Sequence, residues 1–238
     1  MKTAIEKAKV AGIGMVSAKM TNHFSICGHW ALMAEKEGMI GMAFTNTSPK
    51  TFPTRGAAPT LGTNPICMVA PASGDDNFCI DMATTTVALG KVEVERRKGN
   101  QIPSGWAVNN KGEPTTNPDE CWNGGGLMPL GGMEQTGGYK GFGLGMMVDI
   151  LCGVLAGSNY ANQVRRWGFA KDASSPANLG QCFIVIDPGC FAPGFEGRMD
   201  DLHRIHRELD TAPDSPGPVQ DKGYDESLSR INGRIMVK

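Results

Sequence analysis

Short apolar runs separated by polar or glycine-containing turns fill the first half of the chain. Those with strand-like composition predict β-strands over 13–18, 39–44, 66–70 and 78–80. Helical spacing of apolar residues predicts helices over 3–10, 25–38 and 87–98. In the second of these helices, Ile26, Trp30 and Met33 fall on one face. Alternation of helices and strands indicates an α/β fold.

The second half of the chain has a different pattern. Residues 99–141 are rich in glycine and show almost no periodicity, and we interpret them as an ordered loop region. Further elements are a buried helix over 142–156, a strand over 181–187, a helix over 199–209 and a weak helix over 224–231. Residues 157–180 are polar and predict a surface excursion or an oligomer contact. We expect His203 and His206, three apart on a helix, to be solvated.

We expect one α/β domain over 1–210, followed by a C-terminal linker and helix over 211–238. The chain has 238 residues and a net charge of −1 without a basic block, which argues against an electrostatic nucleic-acid binder. No apolar run reaches the roughly 18 residues that a membrane helix needs. The 7 cysteines include no C-x-x-C pair, and several lie in apolar runs. Buried thiols and a cytoplasmic location are therefore expected.

The most informative stretch follows the predicted strand over 78–80 and contains an acid and three threonines. It runs from Asp81 to Lys91. Asp81 can cap the backbone N–H groups of a helix that opens there. It can equally accept hydrogen bonds from the hydroxyls of a ligand, while the threonines and helix N–H groups hold phosphate oxygens. The local chemistry leaves both interpretations open.

Polar residues also follow two other predicted strands. The run from Thr45 to Pro49 either borders a ligand or forms an Asx or Ser/Thr turn. His23 lies beyond the first strand, between Asn22 and Ser25, where a general acid/base or a ligand donor is plausible.

Several common sites are excluded by spacing. Gly141, Gly143 and Gly145 begin a dinucleotide-like pattern, but Met146 occupies its final glycine position and a loop precedes it, so a Rossmann motif is rejected. The small residues are expected to allow close helix packing. The chain contains neither a P-loop nor a G-x-S-x-G elbow. Its histidine pairs lack a convincing third ligand, so no metal site is predicted.

The motifs become specific in combination. In chain order they are Asn22-His23-Phe24, Phe44-Thr45-Asn46-Thr47-Ser48-Pro49, Leu61-Gly62-Thr63-Asn64-Pro65, Asp81-Met82-Ala83-Thr84, Gly90-Lys91, Pro103-Ser104-Gly105-Trp106, Pro129-Leu130-Gly131-Gly132 and Gly138-Tyr139-Lys140-Gly141-Phe142-Gly143. Over residues 1–218 the chain resembles the type-2 malate/L-lactate dehydrogenases. That group includes ureidoglycolate, sulfolactate and diketogulonate oxidoreductases.

The resemblance implies a non-Rossmann α/β fold with a mixed sheet that binds NAD or NADP, usually as a homodimer. It implies hydride transfer between the nicotinamide and a small 2-hydroxy or 2-keto acid. By similarity, His23 and Asn109 are the candidate catalytic residues. The candidate cofactor-binding residues, again by similarity, are Asn46, Pro49, Asp81, Met82, Ala83, Thr84, Thr85, Tyr139, Lys140 and Gly217.

Two departures from the family pattern shape the functional prediction. The resemblance implies an additional N-terminal helical region with a His proton donor, and we expect this chain to lack it. Asn109 stands where the family usually has Asp, and Pro218 where an acidic residue is commoner. We therefore expect an oxidoreductase that turns over poorly as this chain alone. The alternatives are a catalytically silent nicotinamide-nucleotide-binding protein and a truncation that misfolds.

Overall fold

The computed structural model describes residues 1–74, 76–166 and 175–215. The helices in these ranges are α1 Lys2–Ala11, α2 Cys27–Glu35, α3 Leu89–Lys98, α4 Pro118–Trp122, α5 Gly138–Asp149 and α6 Phe195–Arg207. The strands are β1 Ile13–Thr21, β2 Ile40–Thr45, β3 Ile66–Ala70, β4 Phe78–Met82, β5 Ala107–Val108, β6 Pro114–Thr115, β7 Gly126–Leu127 and β8 Leu179–Ile186. A π-helical segment, Ile150–Val154, continues α5 directly. The predicted helix over 224–231 and the site residue Gly217 lie outside the described residues.

The main sheet has five strands in the order β1-β8-β2-β3-β4. Strand β8 lies between β1 and β2, so that Ile186 pairs with both Ile13 and Ile40. The α/β class predicted from the alternating pattern is confirmed. One detail differs from the expected mixed sheet, because every pair of neighbouring strands in this sheet is antiparallel. The short turn from β3 to β4 permits only an antiparallel pair, since parallel strands need a longer crossover.

Small residues bring α1 and α2 against one face of the sheet. A side chain on Gly14 would overlap the carbonyl oxygen of Ala4 in α1, and one on Gly41 would overlap that of Ala31 in α2. The core between these layers includes the fully buried residues Ala4, Ala8, Ala31, Ala34, Cys67, Val69, Cys79 and Val185. Close backbone approach therefore replaces bulky side chains as the basis of packing on this face.

The opposite face of the sheet is covered by the last turns of α5 and the π-helical segment. Val148 and Cys152 pack there against Phe44 and Cys182. A side chain on Gly180 would overlap the carbonyl oxygen of Cys152, so the helix and β8 touch backbone to backbone. As the apolar runs predicted, Cys67, Cys79, Cys152 and Cys182 are buried thiols.

The glycine-rich region over 99–141 is ordered, as expected, but it holds more regular structure than its pattern indicated. Strands β6, β5 and β7 form a small antiparallel sheet beside α4, and Leu127 is fully buried there. Each of these strands has two residues. A strand of that length is too short to show the two-residue alternation by which strands are recognised in a sequence.

The buried face of α2 differs from the apolar face seen in the sequence, although Trp30 and Met33 pack against the core. The helix begins at Cys27, and its buried residues are Cys27, Gly28, Ala31 and Ala34. Ile26 precedes the helix and is exposed, while Trp30 and Met33 are half-buried at its sides. Small side chains face the sheet because the helix axis lies too close to β2 for larger ones.

The helix predicted over 142–156 exists, but it begins earlier, at Gly138, and is buried on one side only. Its outer side exposes a row of large apolar residues: Met146, Met147, Ile150, Val154 and Leu155. Over 157–180, the described residues Val164, Ala177 and Leu179 form a buried cluster, so this stretch is not purely a surface excursion.

Helix α6 corrects two further expectations. It begins at Phe195, four residues before the predicted start, and Asp200 in its second turn accepts the backbone N–H of Ser73 at 3.0 Å. His203 is 2% exposed, with Nδ1 3.4 Å from Oδ2 of Asp76, so it is not solvated. Its burial was missed because the helix packs through polar residues, which carry no apolar pattern. Within the described ranges, no helix has the length and apolar character needed to cross a bilayer.

Two glycines of α5 give a matched test of close packing. A side chain on Gly141 would overlap the backbone of Leu130, whereas one on Gly143 meets nothing within 4 Å. We expect Gly141→Ala to lower the free energy of unfolding by about 1–3 kcal/mol through overpacking. Gly143→Ala should raise it by up to about 1 kcal/mol, the helix-propensity gain of Ala over Gly. Urea unfolding measures both, and equal effects would contradict the packing described.

Candidate functional site

The carboxylate of Asp81 caps a helix, but not the one that the sequence suggested. Asp81 lies within β4, and its Oδ2 accepts the backbone N–H of Gly28 at 2.7 Å, in the first turn of α2. The next helix in sequence, α3, begins only at Leu89. The predicted cap chemistry is therefore present, with the carboxylate supplied to α2 from a neighbouring strand.

Burial perturbs this carboxylate. It raises the pKa of Asp81 above its ordinary value, and the N–H of Gly28 offsets some of that rise by binding the ionised form. Met82 and Ala83, which follow it, are half-buried at the end of the strand. The carboxylate thus lies at the junction of β4 and α2, where it connects the strand end to the helix.

The threonines after β4 direct their hydroxyls into the protein. Thr84 Oγ1 donates to the carbonyl oxygen of Thr63 at 3.0 Å, and its backbone N–H donates to the same oxygen at 2.8 Å. Thr85 Oγ1 donates to the carbonyl oxygen of Val87 at 2.7 Å. Both threonines are buried. Their described contacts hold the strand end in place, and their contact with a cofactor stays a prediction.

Asn64 joins three segments that are distant in sequence. It is fully buried, with a left-handed φ of 35°. Its Oδ1 accepts the backbone N–H of Thr47 at 3.1 Å, and its Nδ2 donates to the carbonyl oxygen of Gly145 in α5 at 2.9 Å. Its own carbonyl oxygen lies 3.1 Å from the Thr84 hydroxyl. The side chain of Asn64 therefore links the end of β2 to α5, and the backbone carbonyl of Asn64 binds the segment after β4.

Asn46 makes a similar set of bonds at the next turn of α5. It is 0% exposed, and its Nδ2 donates to Oδ1 of Asp149 at 3.1 Å and to the carbonyl oxygen of Asn159 at 2.7 Å. Its Oδ1 accepts the backbone N–H of Gly180 at 3.0 Å. Pro49, in the same segment, is buried. The Asn46 amide is saturated within the protein, so its predicted place beside a nicotinamide stays a prediction.

These contacts define one continuous surface, which we call the strand-end wall. It comprises residues 46–49, 62–65 and 81–86 and the first two turns of α5. Leu130 closes it, because its backbone N–H donates to the carbonyl oxygen of Thr84 at 2.9 Å while its backbone packs on Gly141. The structure thus brings together three of the segments predicted to hold a cofactor.

The exposed end of the wall carries an aromatic ring and a cation. Tyr139 is 55% exposed, and Nζ of Lys140 lies 5.9 Å from the centre of its ring. Because α5 begins at Gly138, both residues fall in its first turn. The positive end of the helix macrodipole adds to the charge of Lys140, so this corner suits an anion.

The two predicted catalytic residues differ in their surroundings. His23 is exposed, and its Nδ1 accepts the backbone N–H of Ser25 at 3.0 Å. Asn109 lies in the turn between β5 and β6, where its Oδ1 accepts the backbone N–H groups of Lys111 and Glu113 at 2.9 and 3.0 Å. Its Nδ2 donates to Glu113 at 2.9 Å. These are the contacts of a turn residue, and a catalytic role for Asn109 stays a prediction.

Two members of the site were missed at the level of sequence. Asn64 was quoted only within a motif, and Asp149 was not singled out, although it is an acid within the apolar stretch over 142–155. That second signal was usable, since a carboxylate inside an otherwise apolar helix needs buried partners. Among the residues that the structure describes, no cluster of three or more His, Cys, Asp or Glu side chains could hold a metal ion.

Replacement of Asp81 tests the cap that it supplies to α2. Asp81→Ala removes the acceptor for Gly28, and we expect the free energy of unfolding to fall by about 1–2 kcal/mol. Asp81→Asn keeps an oxygen at the same place and should lose less. Urea denaturation at pH 7 compares the two, and an Ala variant as stable as wild type would contradict the capping role.

The same variants have a predictable pH dependence. Because the pKa of Asp81 is raised in the folded state, the folded chain binds this proton more tightly than the unfolded chain does. The part of the stability that comes from this bound proton is therefore complete below the unfolded pKa of about 4 and is lost as pH rises through the raised value. The hydrogen bond from Gly28 to the carboxylate oxygen is separate from this component and persists when Asp81 is ionised. Asp81→Asn should remove this component of the decline, and an unchanged pH profile would argue against it.

Comparison with known proteins agrees with this geometry. A family model described as malate/L-lactate dehydrogenase matches residues 1–226. The malate dehydrogenase of Pyrococcus abyssi is 47% identical over 205 residues, which are 85% of this chain and 55% of that protein. The NAD(+) ureidoglycolate dehydrogenase of Escherichia coli is 34% identical over 243 residues, 100% of this chain and 66% of that protein.

A solved structure shows the same fold. The crystal structure of malate dehydrogenase from Entamoeba histolytica matches with a TM-score of 0.88 at 33% identity, over 98% of this chain and 66% of that one. The fold expected from the resemblance is thus confirmed. The chain spans about half to two thirds of the length of these proteins. Since the family model covers most of its residues, the chain belongs to the malate/L-lactate dehydrogenase family.

Proposed function

We propose that the protein is an oxidoreductase that transfers a hydride between NAD or NADP and a small 2-hydroxy or 2-keto acid. The names of its relatives support the substrate class, because malate and ureidoglycolate are both carboxylates with a hydroxyl on carbon 2. The name of the second also supports a nicotinamide cofactor. The proposal includes a homodimer, expected from the resemblance, and a cytoplasmic location, which the buried free thiols favour.

One observation carries the proposal: the strand-end wall unites segments that the resemblance assigns separately to the cofactor. Residues 46–49, 81–86 and the start of α5 are far apart in sequence. Asn64 and Leu130 join them through the hydrogen bonds described above. A buried network that fixes three such segments is what an extended dinucleotide requires, because its recognition depends on several preformed contacts.

The residues at the exposed end of the wall fit a dinucleotide. The ammonium group of Lys140 and the helix end behind it suit a pyrophosphate, and the exposed ring of Tyr139 offers an apolar face to a base or ribose. When bound, the nicotinamide supplies or accepts the hydride. The carboxylate of Asp81 holds the end of β4 against the first turn of α2.

We infer that His23 handles the proton. Its Nδ1 accepts the N–H of Ser25, so the neutral ring carries its proton on Nε2. From Nε2 it can donate to the oxygen of a 2-keto acid, which needs a proton as the carbonyl carbon receives a hydride. The exposure of the ring leaves it accessible to such a ligand.

Cofactor binding tests the proposal directly. We expect the fluorescence of NADH or NADPH to change saturably on titration with the chain. Lys140→Ala should weaken that binding by roughly tenfold, the effect of losing one charge-assisted contact of about 1.4 kcal/mol. Lys111→Ala, which removes an exposed lysine from the β5–β6 turn, is the matched control and should leave the affinity unchanged.

The possible results separate the hypotheses. Binding of neither NADH nor NADPH would overturn the proposal. Binding accompanied by oxidation of NAD(P)H with oxaloacetate or pyruvate supports the dehydrogenase. Binding without turnover of any 2-keto acid would favour the catalytically silent nucleotide-binding protein.

A further inference from the structure

A buried carboxylate lies behind the strand-end wall, on the side away from the exposed corner. Asp149 is the last residue of α5 and is 7% exposed. Its Oδ1 accepts from Nδ2 of Asn46 at 3.1 Å, and its Oδ2 accepts the backbone N–H of Ala161 at 2.7 Å. Burial raises its pKa, while these two donors oppose the rise. A buried charge carries a large desolvation cost that only well-placed hydrogen-bond partners offset.

The orientation of the Asn46 amide makes the carboxylate necessary. Because Oδ1 of Asn46 accepts the N–H of Gly180, its Nδ2 must face the other way, toward Asn159 and Asp149. Nδ2 has two hydrogens, and the carbonyl oxygen of Asn159 takes one. Asp149 accepts the other, so that no polar atom of this buried amide is left unpaired.

The second oxygen of Asp149 faces a donor as well. Ala161 is held at a φ of 49°, a left-handed conformation that a non-glycine residue adopts at an energetic cost. That conformation points its N–H at Oδ2. Since both neighbours of Asp149 donate, position 149 requires a group that only accepts, and an ionised carboxylate is such a group.

The packing around the pair leaves no room for another arrangement. A side chain added to Gly153 in the π-helical segment would lie 3.1 Å from Nδ2 of Asn46 and 2.7 Å from Cβ of Tyr160. The π-helical segment starts immediately after Asp149. The Asn46 amide is therefore closely bounded on the side of Gly153, and we expect loss of its partner to shift the strand end that carries it.

We propose that Asp149 is a positioning residue that fixes the segment from Asn46 to Pro49 and thereby sets the cofactor affinity of the strand-end wall. This inference rests on the proposed function, because it concerns the same site. Asp149 acts through Asn46 and does not itself contact the cofactor. Its role is to hold the β2 end in the one position that the wall uses.

The variant Asp149→Asn tests the proposal with little change in shape. An amide at 149 replaces one of the two acceptor oxygens with an NH2 donor group, so it faces either Asn46 or Ala161 with a second donor. We expect hydrogen exchange of residues 45–49 to accelerate at least about tenfold, the loss of one buried hydrogen bond. Exchange of residues 107–115 in the small sheet should not change. NADH affinity should fall by a similar factor.

A control separates positioning from general stability. Val185→Ala removes buried volume on the face of the sheet that α1 covers, opposite α5. It should lower the melting temperature as Asp149→Asn does, yet leave exchange over 45–49 and NADH affinity near wild type. Equal effects of the two variants on NADH affinity at matched melting temperature would overturn the proposal.

A double-mutant cycle tests the route through Asn46. If Asp149 acts through that amide, Asn46→Ala and the double variant should bind NADH with the same affinity. Additive losses would contradict the proposal. Asp149→Glu keeps two acceptor oxygens and should bind more tightly than Asp149→Asn, and the reverse order would also contradict it. If the wild-type chain binds neither NADH nor NADPH, the proposed function fails, while the exchange over 45–49 still decides whether Asp149 holds that segment.

Discussion

Two buried asparagine side chains hold the ends of the central strands against one face of α5. Asn64 bonds to Gly145, and Asn46 bonds to Asp149, which lies one helical turn further on. Each amide also receives a backbone N–H, so its polar atoms are satisfied away from water. An unpaired buried amide would destabilise the fold by about 1–3 kcal/mol. The position of every other segment of the strand-end wall depends on this pair.

Glycines and carboxylates complete the arrangement in different ways. Gly141 lets α5 touch the backbone of Leu130, and Gly145 lets it approach the side chain of Thr84. Asp81 and Asp149 then occupy the two places where buried N–H groups need an acceptor, and burial raises the pKa of both. These hydrogen bonds therefore hold the wall in place, although burial disfavours the charged form of both carboxylates. Such an arrangement suits a site that must be formed before its ligand arrives.

Much of the fold was predictable because its central strands are continuous apolar runs. Strand β3 was predicted with its observed bounds, and the starts of the strands at Ile13, Ile40 and Leu179 were predicted within two residues. Strand β1 extends three residues beyond its predicted end, to Thr21. The contact face of α2 was not predictable, since it depends on Ala31 and Ala34 fitting beneath a sheet whose Gly41 has no side chain. The burial of His203 was not predictable for a related reason. His203 faces the polar residue Asp76, and a polar contact leaves no apolar pattern in the sequence.

The site was predictable as a set of segments and not as a set of contacts. Asp81 was correctly seen as a residue able to cap a helix, but α2 comes earlier in the chain, and only the tertiary fold brings the two together. Asn109 is followed by Asn110 and Gly112, which are typical turn residues, but the resemblance directed attention to a catalytic role. In the sequence, Asn46 and Asn64 cannot be distinguished from exposed turn residues. Their burial becomes visible only when α5 covers them.

The central claim is that three distant segments form one surface for a nicotinamide dinucleotide. Hydrogen exchange measured by mass spectrometry, with and without saturating NADH or NADPH, tests it most directly. We expect hydrogen exchange of residues 45–49, 81–86 and 138–141 to slow together on cofactor binding, while exchange of residues 107–115 stays unchanged. Protection confined to other regions of the chain, or protection of only one of the three segments, would contradict it.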